Sequence, residues 1–226
     1  MKKRLFLAGI LAFVVLLLSG TPAVADQTLR FTVIGIDCKE CAPPIVKALR
    51  DVPGVRNPVL DWKKGVATVD VAPGFDRTKI KKAIDAIGYD AVFPEENRKE
   101  FAALPADVVA KLDIVSFDGA KKIDLKTIAV PGKITVVDYW AEWCSPCHFL
   151  EKRLHHLMSS DPKMALRRVN VGKWDNAAAR QATAEFRLEA LPYVRVYDAR
   201  GKFVDDVTGG SWDQFLKVLE KARARG

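Results

Sequence analysis

The chain has four cysteines, and they fall into two Cys-x-x-Cys pairs, Cys38/Cys41 and Cys144/Cys147. Two thiols at this spacing can close a disulfide with each other or hold one soft metal ion between them. Which of these a pair does depends on what surrounds it. The second pair lies in ITVVDYWAEWCSPCHFLEKRLHHL, residues 134–157. Ile134 to Val137 form a β-branched apolar run that reads as a buried strand, and a helical pattern opens directly after Trp143. Cys144 therefore comes just before a helix, where unpaired amide N–H groups and the macrodipole favour a thiolate. That placement makes Cys144 the attacking nucleophile and Cys147, one turn further in, the thiol that resolves a mixed disulfide. Asp138 ends the buried strand, where a charge is costly, so its carboxyl is expected to titrate above the ordinary range. Cys144 to His148 also satisfy the Cys-x-x-Cys-His pattern of c-type haem attachment. The strand, Asp138, Trp143 and Pro192 account for a redox dithiol and offer nothing to a haem, so neither haem nor another organic cofactor is expected.

The elements that must position this pair run from 113 to 226. Ile114–Phe117 and Lys121–Leu125 read as a hairpin around Asp118-Gly119. Met164–Val171 is a second buried strand, and Asp175 can cap a helix that runs to about Phe186. Leu191–Tyr197 alternates as a strand and returns as Phe203–Val207. Ser211 and Gln214 make a capping-box pair for a last helix with Trp212, Phe215, Leu216 and Leu219 on one face. This order, with WCSPC between a strand and a helix, resembles thioredoxin and, through the extra N-terminal hairpin, exported thioredoxin-like reductases. The resemblance covers essentially the whole segment. It implies a thioredoxin fold, protein disulfides as substrates, and Asp138 as the acid/base that takes the Cys147 proton. It makes Pro192 the cis-proline that faces the disulfide and leaves the preceding backbone free to pair with substrate. Trp143 flanks the site as an apolar contact, and Trp140 belongs to the core. His148 is expected beside the site and His155 and His156 on the helix surface. Ser145-Pro146 is similar to the Gly-Pro dipeptide of reducing thioredoxins, which points to a reductase.

The first pair has different surroundings. Leu29, Phe31 and Val33 alternate with Thr28, Arg30 and Thr32 as a half-buried strand. GIDCKEC then forms a loop opening a helix that tolerates Pro43 and Pro44 only near its first turn. Pro53-Gly54 stops that helix. Strands at Val55–Trp62 and Val66–Val71 meet at Lys63-Lys64-Gly65, and Asp76 is placed to cap a helix carrying Ile80, Ala83, Ile84 and Ile87 on one face. A short strand over Tyr89–Phe93 completes βαββαβ, a ferredoxin-like sandwich. With GIDCKEC, IVKALRDVPGV, VATVDV and IKKAIDAIGYDA, the segment resembles the heavy-metal-associated domains of copper chaperones, copper-pump N-termini and mercuric-ion carriers. The resemblance implies that Cys38 and Cys41 bind Cu(I), with Hg(II) or Zn(II) as other candidates. Ile36 stands where that family usually has a methionine packed beneath the loop. Without metal, the pair would be a dithiol substrate or a docking site.

Composition bounds the rest. The 226 residues are 49% hydrophobic and 28% charged, with a formal charge of +8. Lys2-Lys3-Arg4, the apolar run Leu5–Leu18 and Ala23-Val24-Ala25 have the pattern of a secretory leader cleaved after Ala25, against the reading of a retained membrane anchor. Losing those three basic groups brings the charge to +5, too mild and scattered for a nucleic-acid protein. The expected layout is a leader at 1–25, an α+β ferredoxin-like domain at 26–93, a charged linker at 94–112 that lets the domains move, and an α/β thioredoxin-like domain at 113–226. An exported dithiol needs a source of electrons, so a membrane electron donor is an expected partner, with a metal transporter or metallochaperone as another. The rival reading is a metal carrier without enzymatic activity in which the thiols bind and pass on ions. The juxtaposition of the two pairs raises the prospect that the thioredoxin-like site reduces the metal-site dithiol, in cis or on a partner.

Overall fold

The structure is a computed structural model that describes residues 26–96 and 102–226. The leader expectation falls on residues outside these. Among the described residues no helix is long and apolar enough to cross a membrane.

In the first domain, β1 (Gln27–Ile34) leads through a short 3-10 turn, Lys39–Cys41, into α1 (Ala42–Arg50). Then come β2 (Arg56–Asp61), β3 (Val66–Val71), α2 (Thr78–Asp85) and β4 (Asp90–Val92). The four strands pair antiparallel in the order β2-β3-β1-β4. Strand alternation sends Leu29, Phe31 and Val33 to one face, where Ile45 and Leu49 of α1 and Ile80 and Ile84 of α2 cover them. Pro43 sits within the first turn of α1, where its missing N–H costs nothing. The N-cap position of α2 is Arg77 rather than the expected Asp76, whose carboxylate, one residue earlier, still accepts from the Thr78 amide at 3.0 Å and its hydroxyl at 2.7 Å. The sequence expectation of βαββαβ therefore holds element by element.

The second domain follows a single helical turn, α3 (Ala106–Val109). Its order is β5 (Ile114–Phe117), β6 (Ile134–Trp140), α4 (Ser145–Ser160), β7 (Met164–Asn170), α5 (Ala177–Phe186), β8 (Tyr193–Tyr197), β9 (Phe203–Thr208) and α6 (Trp212–Arg225). The sheet order is β5-β7-β6-β8-β9, with β5 and β6 parallel to β7 and the β6-β8-β9 side antiparallel. Helices α4 and α6 cover one face and α5 the other. Central β6 is consequently buried along its length rather than on alternate residues.

Two local expectations are corrected. The hairpin at 114–125 does not form: β5 pairs parallel with β7 at the sheet edge, and Lys121–Leu125 is not a strand. Ile123 is instead held by the Gln181 amide, which accepts from its N–H at 2.6 Å and donates to its carbonyl at 2.9 Å. A side-chain amide thus does what a paired strand would do. The cap of α5 is Asn176, whose side chain accepts from the Ala179 amide at 2.8 Å, and not Asp175.

The domains pack against each other, and a buried ion pair joins Arg153 of α4 to Asp90 of β4 at 2.5 Å.

Candidate active site and dithiol crevice

Cys144 is the N-cap of α4, and Cys147 lies in its first turn. The two are joined as a disulfide with Cα atoms 5.3 Å apart. Pro146 begins the helix beside Ser145, a position where proline forfeits no hydrogen bond. Cys147 is fully buried and Cys144 only 3% exposed. Pro192 enters β8 through a cis peptide bond from Leu191, and its carbonyl accepts from the Gly209 amide at 2.9 Å. Trp143 is 54% exposed beside the pair, with its indole N–H donating to the Gly172 carbonyl at 2.8 Å. Trp143, Cys144 and Leu191, the residue before Pro192, line one pocket, and Cys147 is bonded to Cys144 beneath it.

Asp138 is fully buried on the strand below. Side chains alternate along β6, so Asp138 shares the face of Ile134 and Val136, against which α4 packs. Burial pushes its carboxyl up to about 6, and the guanidinium of Arg168 partly offsets that rise. Arg168 stands opposite Asp138 in the parallel ladder and donates from Nε to Oδ2 at 3.2 Å. The same guanidinium lies 4.1 Å from the Trp140 ring centroid and reaches Glu151 of α4 at 2.6 Å. Among the described residues the other carboxylate oxygen, Oδ1, has no hydrogen-bond partner. A buried carboxyl with one tethered and one free oxygen can take up and return a proton near neutral pH.

Sequence reasoning missed Arg168 and Glu151. The available signal was a pair of arginines, Arg167-Arg168, inside an otherwise apolar strand, where a buried cation needs an anion. His148 donates to the Glu142 carbonyl at 2.9 Å and lies edge-on to Trp140. His155 and His156 are half-buried rather than surface decoration: His156 reaches the Ala102 carbonyl at 2.8 Å, and burial pulls the His155 imidazole down.

In the first domain, Cys38 and Cys41 are joined as a disulfide with Cα atoms 5.4 Å apart. Cys41 belongs to the domain core at 7% exposure, whereas Cys38 lies at its edge. Ile36 packs beneath the loop against that core. The Asp37 carboxylate, which was not singled out from the sequence, completes a cluster whose ligand atoms lie within 4.8 Å of one another. Once reduced, two soft sulfurs and one carboxylate suit a soft ion of low coordination number. They leave the cluster one donor short of the four that tetrahedral zinc takes.

The two dithiols do not face separate solvent. Cys38, Cys41, Trp143, Cys144 and Leu191 line a single crevice of about 440 Å³ between the domains.

Fold and site together define a thioredoxin-type dithiol domain preceded by a ferredoxin-like dithiol domain. Comparison with known proteins agrees. Residues 122–221 match the thioredoxin family and residues 30–90 the heavy-metal-associated domain family. The chain is 31% identical to thioredoxin H7 of Arabidopsis thaliana over 91 residues, 40% of this chain and 66% of that protein. It is 31% identical to thioredoxin H-type 1 of Nicotiana tabacum over 93 residues, 41% of this chain and 68% of that protein. Among solved structures, oxidized MerP from Ralstonia metallidurans CH34 is 26% identical and fully covered, matching 31% of this chain with a TM-score of 0.30. The chain belongs to the thioredoxin family and carries a heavy-metal-associated domain ahead of its thioredoxin domain. A thioredoxin domain with an intact Cys-x-x-Cys pair is a thiol–disulfide oxidoreductase, and a heavy-metal-associated domain binds a soft metal ion.

Proposed function

We propose that this protein is an exported disulfide reductase in which the Cys144/Cys147 dithiol reduces protein disulfides, while reduced Cys38 and Cys41 carry Cu(I) as cargo. The carrying observation is a helix-capping Cys144 paired with buried Cys147, over an Asp138 carboxyl raised to about 6. Cys144, favoured as a thiolate by the α4 N-terminus, attacks a substrate disulfide and forms a mixed disulfide. Cys147 gives its proton to Asp138, attacks the Cys144 sulfur and releases the substrate as a dithiol. Arg168 holds Asp138 by one oxygen and so positions it. Leu191, Pro192 and Trp143 make the apolar rim on which a substrate chain rests.

Export is supported by the basic, apolar and A-x-A succession at residues 1–25. The reducing direction is supported by Ser145-Pro146, and it requires a membrane dithiol donor to recharge the pair. Copper is supported by the two-sulfur donor set. Insulin reduction by the full chain tests the enzymatic reading. The potential of the Cys144/Cys147 couple tests the direction, with about −270 mV expected for a reductase and about −120 mV overturning it in favour of an oxidase. A chain that binds Cu(I) and leaves insulin untouched would be the carrier instead.

A further inference from the structure

Resting on the reductase reading, we infer that the Cys38–Cys41 disulfide is the built-in substrate of the Cys144/Cys147 dithiol. The docked first domain presents that disulfide and keeps other protein disulfides off the site.

The contacts that hold this arrangement are specific and partly buried. Arg153, 2% exposed, pairs with Asp90 across the boundary at 2.5 Å, and its guanidinium lies over the Phe149 and Trp212 rings. Asp85 at the end of α2 caps α6 of the other domain: its carboxylate accepts from the Trp212 amide at 3.0 Å and from the Ser211 hydroxyl. Ser145, between the two catalytic cysteines, donates to the Gly35 carbonyl at 3.1 Å.

Backbone closeness adds a second, independent observation. A Cβ on Gly88 would fall 2.8 Å from Cβ of Pro146 and 2.9 Å from the Gly209 carbonyl oxygen. A Cβ on Gly35 would fall 2.8 Å from the Phe149 ring. Glycines of the first domain thus lie flat on the dipeptide and the loop that border Cys144. That surface is what any macromolecular disulfide would have to cover. The result is a shared crevice with Cys38, Cys41 and the attacking Cys144 on its wall.

The transfer balances within the chain. The Cys144 thiolate attacks the sulfur of edge-lying Cys38, a Cys144–Cys38 bond forms, the Cys38–Cys41 bond breaks, and Cys41 leaves as the thiolate. Cys147 then attacks Cys144, and Cys38 is released. Two electrons and two protons pass from the Cys144/Cys147 dithiol to Cys38/Cys41, and an external dithiol restores the donor pair. The product is the only form of Cys38 and Cys41 that can bind a soft ion.

The test starts from the fully oxidised full chain. Dithiothreitol is added at about 0.1 mM, below the millimolar effective concentration that tethering gives a linked partner. Acid quenching, alkylation and peptide mass mapping follow Cys38 and Cys41 over time, and insulin reduction is measured on the same preparation. Replacing Cys144 and Cys147 together by Ser is expected to slow Cys38–Cys41 reduction by about tenfold or more. The wild-type rate constant should not change when the protein is diluted. Asp85→Ala, which keeps both dithiols, should slow internal reduction and speed insulin reduction. Equal Cys38–Cys41 rates with and without Cys144/Cys147, in a protein that reduces insulin, overturn this inference and leave the reductase reading standing. Failure to reduce insulin by the undocked Asp85→Ala protein as well as by the wild type, together with Cys38–Cys41 rates that do not depend on Cys144/Cys147, overturns both. A rate that falls on dilution, or an Asp85→Ala protein unchanged in both assays, overturns the docked transfer.

Discussion

The chain carries the same four-residue spacing twice, and the two pairs differ in almost everything else. Cys144 caps a sixteen-residue helix, and its face of the sheet hides Asp138, raised to about 6 and tied to Arg168. Cys38 precedes a 3-10 turn, and its neighbouring carboxylate, Asp37, is exposed. A dithiol that cycles through mixed disulfides needs a place to put the resolving thiol's proton, and the domain of the second pair carries a buried carboxyl of raised pKa on the strand that leads to it. A dithiol that binds a soft ion is helped by a nearby oxygen donor, and Asp37 stands within reach of the first pair. Spacing therefore makes a pair; surroundings decide its trade.

The largest effect expected from breaking this comparison is total. Cys144→Ser should abolish insulin reduction, while Cys38→Ser with Cys41→Ser should abolish Cu(I) binding and leave insulin reduction intact. A thiol-competition assay for Cu(I) and the insulin assay together read both losses. Insulin reduction lost in the Cys38/Cys41 variant would erase the division of labour.

Next in size is Asp138→Asn. General acid–base groups contribute about 10²- to 10⁴-fold, and the turnover loss should lie in that range, in the release of the mixed disulfide. Stability should move the other way. The carboxyl is raised from 3.8 to about 6 in the fold, so its ionisation there is disfavoured. Its favourable contribution as the neutral acid is full below pH 4 and is lost as pH climbs to about 6. At pH 7 the Asn variant should thus be more stable by up to ~3 kcal/mol, and below pH 4 it should match the wild type. Urea unfolding at pH 3.5 and pH 7 checks the sign. A variant less stable at pH 7 would mean that the Arg168 pair outweighs the burial cost.

How much of this was legible beforehand follows from the range of each interaction. The fold of both domains could be read because hydrophobic period, capping residues and turn glycines act over a few residues, as at Leu29-Phe31-Val33 and Ser211-Gln214. Asp138 could be read because four apolar residues precede it. Arg168 escaped because its partner is thirty positions away and is found only through strand register. The 114–125 hairpin was misread because Asp118-Gly119 makes a plausible turn locally, whereas β7 and the Gln181 side chain compete for the two strands from afar. The docking of the domains was least legible. Arg153 reads as one polar residue on an apolar helix stripe, and Asp90 as a strand start, until each is seen to be the other's counter-ion.

Asp90→Ala sharpens the comparison by separating the two dithiols without touching either. Removing one partner of a buried ion pair weakens what that pair holds together, and this pair spans the boundary between the domains. Losing the contact therefore favours undocking. Calorimetry should show one transition in the wild type and two in the variant. A single, merely lowered transition would place the cost inside the first domain rather than at the boundary.

The smallest effect belongs to Ser145, which lies between the cysteines of one pair but bonds to the domain of the other. Its hydroxyl donates to the Gly35 carbonyl at 3.1 Å and also meets the Tyr89 phenol, whose ionisation burial pushes upward. Ser145→Ala removes these bonds and leaves Cys144, Cys147, Pro146 and Asp138 in place. A hydrogen bond of this kind is worth about 1 kcal/mol net. That corresponds to about a fivefold loosening of the docked state. Internal reduction of Cys38–Cys41 should slow by that order, and insulin reduction should be maintained or rise. If insulin reduction falls in step, the hydroxyl serves the chemistry of its own pair, and the serine between the cysteines is part of the redox site rather than of the boundary.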